Sequence, residues 1–182
     1  MNMLAPPLAV EAPRPGLARR FAKHLRRSLP PLVTALAGSA CWALVMTASA
    51  VVTLWSLGWQ TPEKYVAVAS LFAAGAALAF PVGLTAARFV AMGRSAETAF
   101  ASAFLGFALA TVGITAALFA LDYRQYYATW HDHFLTVRWV FELVFTTLGA
   151  LVQFAVFGMR LYFPVGFVAL LVAGAWFARS SR

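Results

Sequence analysis

The segment 122–142, DYRQYYATWHDHFLTVRWVFE, concentrates residue types from which a metal or catalytic site could be built. In an extended loop, His131 and His133 would point the same way and could share a metal ion. Three nearby acids could add oxygen ligands: Asp122, Asp132 and Glu142. Neither an HEXXH helix nor a Cys and His zinc pattern accompanies them. Metal or haem binding, or a membrane enzyme using these histidines, is therefore the weakest of the functional hypotheses.

A second set of polar side chains follows at helical spacing and would form one narrow line on a helix. Its members are Arg138, Glu142, Thr146, Gly149 and Gln153, with Arg160 added if the helix continues. An ionisable group inside an apolar run is expected to face protein or a wet cavity, which would suit a small transporter or ion-conducting protein. The alternative is an Arg138–Glu142 pair near the membrane surface, worth a few tenths of a kcal/mol.

The elements that carry these residues are predicted from composition. Of 182 residues, 62% are hydrophobic and only 11% are charged, against about 25% charged in soluble domains. Four apolar runs each meet or exceed the roughly 20 residues that a helix needs to cross a bilayer. They lie at 29–62, 65–87, 98–121 and 139–178. The predicted fold is all-α, a polytopic integral membrane helical bundle that occupies residues 32–178.

The number of crossings depends on the last apolar run, 139–178. As one helix it would be about 60 Å long, twice the thickness of the hydrocarbon core. Gly158, Arg160 and Pro164 offer a break, which favours five transmembrane helices. These would span about 32–57, 65–87, 98–121, 137–157 and 162–178. In the alternative the first half of the run is a surface helix, four helices cross, and the C-terminus returns to the side of the N-terminus.

Residues 1–31 are predicted to be a cytoplasmic tail that ends in a basic amphipathic helix, and 179–182 a short basic C-terminus. In LARRFAKHLRRSL, apolar residues recur every four positions among basic ones. The basic residues expected at the lipid surface are Arg19, Arg20, Lys23, Arg26 and Arg27. Each would attract anionic lipid by about 1 kcal/mol near the surface. The alternative is that they only fix the orientation of the first crossing.

The charge distribution also bears on location and partners. Much of the positive charge behind the net +8 precedes the first apolar run, which predicts a cytoplasmic N-terminus and no nucleic-acid partner. Arg outnumbers Lys and Ala is abundant, as in GC-rich bacteria, so we expect a bacterial inner membrane. The aromatic residues of 122–139 then mark the outer boundary, where amphipathic rings prefer to lie.

Small residues recur at four-residue spacing in three of the predicted helices. The stripes are Ala35, Ser39, Ala43 and Thr47; Gly75, Ala79, Gly83 and Ala87; and Ser102, Gly106 and Ala110. Such stripes let helix backbones approach closely inside lipid, so they predict packing seams within the bundle or contacts to a partner. Pro81 is expected to kink the second crossing.

The expected function is that of a non-enzymatic accessory, assembly or structural subunit of a larger membrane complex. Packing seams and the basic tail are prominent, whereas no nucleophile and base pair, phosphate-binding glycine loop or paired carboxylates stand out. The single cysteine, Cys41, excludes an intramolecular disulfide, and no cofactor is expected. Expected partners are anionic lipids and other membrane subunits, or a second copy of the chain. The transporter is the second hypothesis.

Overall fold

The computed structural model describes residues 17–58, 61–130 and 132–180, and within these ranges the chain is helical and contains no strand. The predicted all-α helical bundle is confirmed. The helices are α1 (Leu17–Ser28), α2 (Leu32–Ser56), α3 (Pro62–Ala91), α4 (Ala96–Tyr127), α5 (Val137–Gln153) and α6 (Val165–Ser180). A 3₁₀ turn, Ala128–Trp130, extends α4, whereas a π-helical turn, Phe154–Gly158, and a 3₁₀ turn, Met159–Tyr162, extend α5.

Local chemistry explains where the helices begin and end. Pro62 occupies the first position of α3, where its missing N–H costs nothing. The hydroxyls of Ser95 and Thr136 accept hydrogen bonds from the first turns of α4 and α5. Gly58 and Gly93 follow α2 and α3 with φ of 69° and 71°, a left-handed conformation that favours glycine. Both turns are therefore encoded locally.

Four helices, α2, α3, α4 and α6, form a closed four-helix bundle. α3 packs between α2 and α4, and α6 closes the ring by contacting α4 and α2. Large apolar side chains fill the interior: Trp42, Met46, Leu54, Phe72, Leu84 and Phe107. Two elements lie outside the ring, because α1 packs on α3 and α5 packs mainly on α4.

The direction of α6 follows from its contacts with α4. The Phe104 and Phe167 rings lie 6.2 Å apart, and a Cβ at Gly174 would lie 3.0 Å from the Phe100 ring. Later residues of α6 thus meet earlier residues of α4, and the two helices are antiparallel. We call the end of the bundle where α1, the start of α4 and the end of α6 meet the α1 end, and the opposite end, beside residues 128–136, the loop end.

α5 packs against the C-terminal part of α4. Gln153 Nε2 donates to Tyr123 Oη at 3.4 Å, while Trp139 lines a cavity of about 390 Å³ with Leu121 and Arg124. These two α5 positions are about 21 Å apart along the helix, and both face the C-terminal third of α4. α5 thus lies outside the ring of four helices, beside the end of α4, and the number of membrane crossings stays a prediction.

Helix length alone selects a different set of membrane spans. Four stretches are long and apolar enough to cross a bilayer: Leu32–Ser56, Pro62–Ala91, Ala96–Trp130 and Val137–Tyr162. α6 has 16 residues, about 24 Å, against a hydrocarbon core of roughly 30 Å. Length therefore favours the α5 segment over α6 as the fourth membrane span. Packing favours α6, because α6 belongs to the bundle and α5 lies outside it.

The break between α5 and α6 is bridged by hydroxyls on α2. The fully buried Ser49 hydroxyl donates to Leu161 O at 2.9 Å and accepts from Gly166 N at 3.0 Å. Thr53 Oγ1 lies 2.8 Å from Phe163 O. These backbone groups belong to helix ends and have no partner within their own helices. The break is close to the predicted one, but its two partners on α2 were not predicted.

Candidate functional site: polar groups at the two ends of the bundle

Glu142 joins α5 to the loop that precedes it. Its Oε1 lies 3.0 Å from Arg138 Nε, and the two side chains are 23% and 77% exposed, respectively. Its Oε2 accepts a hydrogen bond from the Asp132 N–H at 2.8 Å. The carboxylate is thus engaged by a neighbouring guanidinium and a backbone amide. This geometry corresponds to the surface-pair interpretation of the Arg138–Glu142 spacing.

The structure does not bring the whole predicted polar line together. The Thr146 hydroxyl donates to the backbone oxygen of Glu142 at 2.6 Å, and Gln153 reaches towards α4. The π-helical turn then changes the helical register. Arg160 lines one cavity with Gln153, and its guanidinium lies 5.1 Å from the centre of the Phe157 ring. Gly149 has open space where a Cβ would be.

The predicted histidine pair can be followed at only one of its members, because His131 lies outside the described residues. His133 is exposed, and its backbone N–H donates to Asp132 Oδ1 at 2.8 Å. In the part of the chain that the structure describes, no three His, Cys, Asp or Glu side chains are grouped closely enough to hold a metal ion. Aromatic rings instead dominate this region: the Tyr126 and Trp130 rings lie 5.5 Å apart.

The basic segment forms α1 and docks against the end of α3. His24 Nε2 lies 3.3 Å from the backbone oxygen of Phe89, and the Phe21 and Phe89 rings are 5.4 Å apart. Phe89 O is one of the last carbonyls of α3, which lack intrahelical partners. The predicted basic residues with described side chains are all exposed: Arg19, Lys23, Arg26 and Arg27. Arg20 lies within α1, but its side chain is outside the described part.

A basic cleft lies at the α1 end, between α1, α3 and α6. Arg27 and Arg88 line it together with Trp176 and Ser180, and it encloses about 470 Å³. None of the described lining residues is acidic. Arg27 was predicted as a surface residue, but its proximity to Arg88 was not, because α1 and α3 are distant in sequence.

The predicted small-residue stripes of α3 and α4 lie at the contact between these helices. A Cβ on Gly83 would lie 3.0 Å from Phe107 Cα and 3.1 Å from Gly106 O. The Ser102 hydroxyl lies 3.3 Å from Ala87 O. Gly75 and Ala79 are buried on the same face of α3, and Ala110 is half-buried on α4. Close backbone approach therefore holds the largest helix pair of the bundle together.

A further line of residues on α2 remains uncovered. Ala37, Cys41, Leu44 and Ala48 are all exposed and follow one another at spacings of four, three and four. This is the spacing of a helix packing seam. The predicted α2 stripe is a different one, in which the Ser39 hydroxyl donates to Ala77 O on α3 at 2.7 Å. The predicted line is partly buried and the other is exposed. The sequence alone could not distinguish them.

These features define the class of the protein: an all-α helical bundle whose long apolar helices suit a membrane. No protein-family model, curated protein or solved structure matches the chain.

Proposed function

We propose that this protein is a non-enzymatic integral membrane protein that acts as an accessory, assembly or structural subunit of a larger complex in a bacterial inner membrane. Its partners would be other membrane subunits or a second copy of the chain, together with anionic lipids, and not nucleic acid. The observation that carries the proposal is the uncovered line Ala37, Cys41, Leu44 and Ala48 on α2.

The uncovered line supports association because three of its four residues are small. Leu44 is 73% exposed, whereas Ala37, Cys41 and Ala48 leave room for another backbone. Apolar side chains gain little by leaving lipid for a protein contact, so association in a membrane depends on close van der Waals packing. Within this chain, α3 and α4 use small residues in the same way at Gly83 and Gly106. The same physical reason favours a partner helix on α2.

The polar groups offer less support to the transporter hypothesis. Glu142 binds a guanidinium and a loop amide close to the start of α5. Ser49, the most deeply buried of these polar groups, binds two backbone groups of the chain. Polar side chains that are already engaged in holding the fold together leave few groups for a transport path.

We also propose that four helices cross the membrane, namely α2, α3, α4 and α6, with α5 lying at the outer surface. This arrangement is supported by the antiparallel pairing of α6 with α4 and by the position of α5 outside the ring of four helices. The basic residues of α1 then favour the cytoplasm for the α1 end. The loop between α4 and α5, with its aromatic residues, would face the outside.

Site-specific photo-cross-linking in native membranes tests the association. A photoreactive amino acid at Ala37 should give one discrete protein adduct, and a bulky Ala48→Phe change on the same line should abolish it. Leu109 provides the control, because it is 71% exposed but lies on α4 and not on the uncovered line of α2. Purification in mild detergent should then recover the adduct's partner at fixed stoichiometry.

The native cysteine gives an independent measurement. If the partner is a second copy, oxidation in the membrane should link Cys41 to Cys41, whereas a chain carrying Cys41→Ala and Leu109→Cys should remain monomeric. The proposal of a subunit role is refuted if position 37 yields no protein adduct, or if positions 37 and 109 yield the same adducts.

A further inference from the structure

A partly open apolar cavity lies at the loop end, beside the end of α2 and the start of α3. It encloses about 440 Å³ and lies between these two helices, α4 and the segment 153–161. Apolar side chains form most of its wall: Leu54, Leu57, Val68, Leu71, Phe72, Phe119, Phe154 and Phe157. Its volume falls within the roughly 300–1,000 Å³ typical of ligand pockets. The cavity is thus large enough for part of a hydrocarbon chain.

The π-helical turn Phe154–Gly158 builds one wall of this cavity. Such turns are rare and occur often at functional sites, because the extra residue redirects the side chains around it. Here Phe154, Phe157 and Gly158 all line the cavity. A Cβ on Gly158 would lie only 2.6 Å from the Phe154 ring, so a larger residue there would displace the ring from this wall. The wall is therefore a specific feature of the sequence.

Two polar side chains, Gln153 and Arg160, accompany this apolar lining. Arg160 is exposed, and its guanidinium lies over the Phe157 ring at 5.1 Å. No acidic residue is among the residues that line the cavity in the described part of the chain. A guanidinium beside an apolar cavity is complementary to a ligand with an apolar chain and an anionic head.

The Arg160 side chain is exposed and long enough to extend towards the lipid headgroups. It lines the cavity together with Leu57, which follows the last residue of α2. The end of a membrane-crossing helix lies near the boundary between hydrocarbon and headgroups, where long basic side chains extend towards phosphate. The apolar part of the cavity, around Phe72, extends from this boundary towards the bundle centre.

We infer that this cavity binds an anionic phospholipid, with one acyl chain in the cavity and the headgroup phosphate at Arg160. The bilayer supplies this ligand beside the site, and the planar guanidinium can donate two parallel hydrogen bonds to phosphate oxygens. The inference concerns a bound lipid and does not depend on a partner at α2. A failure of one proposal leaves the other standing.

Native mass spectrometry of the full chain in detergent tests the site, with phosphatidylglycerol and phosphatidylcholine as the two probes. Wild-type protein should bind phosphatidylglycerol more tightly. Arg160→Gln should weaken that binding by about tenfold, the loss of one charged contact, and leave phosphatidylcholine binding unchanged. Arg160→Lys keeps the charge and should retain much of the preference. Leu71→Trp, which fills the cavity, should weaken the binding of both lipids.

Arg138→Gln is the matched control, because Arg138 also lies near the loop end but does not line the cavity. It should bind both lipids as wild type does. Thermal unfolding of each variant in the same detergent identifies any that misfold. If Arg160→Gln is among them, the lipid binding of Leu71→Trp and Arg160→Lys tests the inference. Equal phosphatidylglycerol binding by wild type and Arg160→Gln would overturn the inference. So would equal losses in Arg160→Gln and Arg138→Gln, or palmitate binding in place of phosphatidylglycerol.

Discussion

Ser49→Ala is expected to destabilise the protein more than its small size suggests. The Ser49 hydroxyl is fully buried in α2 and serves two backbone groups at the break between α5 and α6. It donates to Leu161 O and accepts from Gly166 N–H, across 112 and 117 residues of sequence. The alanine variant leaves both groups buried without these partners, in a region where water cannot replace them.

The size of the effect follows from two opposing estimates. Leaving a buried polar group unsatisfied costs about 1–3 kcal/mol in soluble proteins. Hydrogen bonds between side chains in membrane proteins average about 0.6 kcal/mol, because the unfolded chain in the membrane also finds partners. Ser49 serves a carbonyl and an amide at once, so we expect Ser49→Ala to lower the free energy of unfolding by about 2 kcal/mol.

Unfolding of the purified chain by SDS in mixed micelles, followed by far-UV circular dichroism, measures this change. Ser70→Ala is the control, because Ser70 is exposed on α3 and its hydroxyl bonds only within the helix, to Ala67 O at 2.9 Å. That variant should change the unfolding free energy by less than about 0.5 kcal/mol. If Ser49→Ala and Ser70→Ala have the same free energy of unfolding, the Ser49 hydroxyl does not stabilise the break between α5 and α6.

Three further predictions use the same preparation or intact cells. Gly83→Ala should destabilise the bundle by about 1–3 kcal/mol, since its Cβ would press on the α4 backbone; Gly113→Ala, with open space around it, should be neutral or slightly stabilising in the same SDS titration, and equal effects would contradict the seam. Glu142→Gln should cost about 1 kcal/mol by weakening the contacts to Arg138 and the loop amide, and an unchanged midpoint would contradict that role. A reporter active only in the cytoplasm should work when fused after Arg182 and fail after Gly58; silence after Arg182 would favour five crossings.

Much of the fold could be predicted because it depends on one-dimensional properties of the chain. Long uncharged runs predict helices for a membrane, and the four-residue spacing of Gly75, Ala79 and Gly83 identifies the face of α3 that meets α4. Pro164 places the last break to within a few residues. The amphipathic pattern of the basic segment predicts α1. Each of these signals is local in sequence.

The sites could be predicted only in part, because their contacts join distant segments. Nothing around Ser49 in its apolar run indicates that it binds the break more than a hundred residues later. The same holds for Arg27 and Arg88, which α1 and α3 bring to one cleft. The Arg138–Glu142 pair was predictable because it lies within one helical turn. Arg160 was predicted to extend the polar line only if the helix continued, and the π-helical turn that intervenes has no reliable sequence signal.

Hydropathy alone leaves the number of crossings open. Hydropathy measures the preference of a segment for lipid, and 137–162 and 165–180 both have that preference. α6 is the shorter segment, but it begins where α2 supplies hydroxyls to the backbone. Ser49 and Thr53 bind the groups that a helix end would otherwise leave unsatisfied at that depth. A chain that turns inside the apolar region needs such partners, and these two hydroxyls provide them. In the proposed four-crossing arrangement, the start of α6 therefore depends on side chains of α2, which lie far in sequence from the last apolar run.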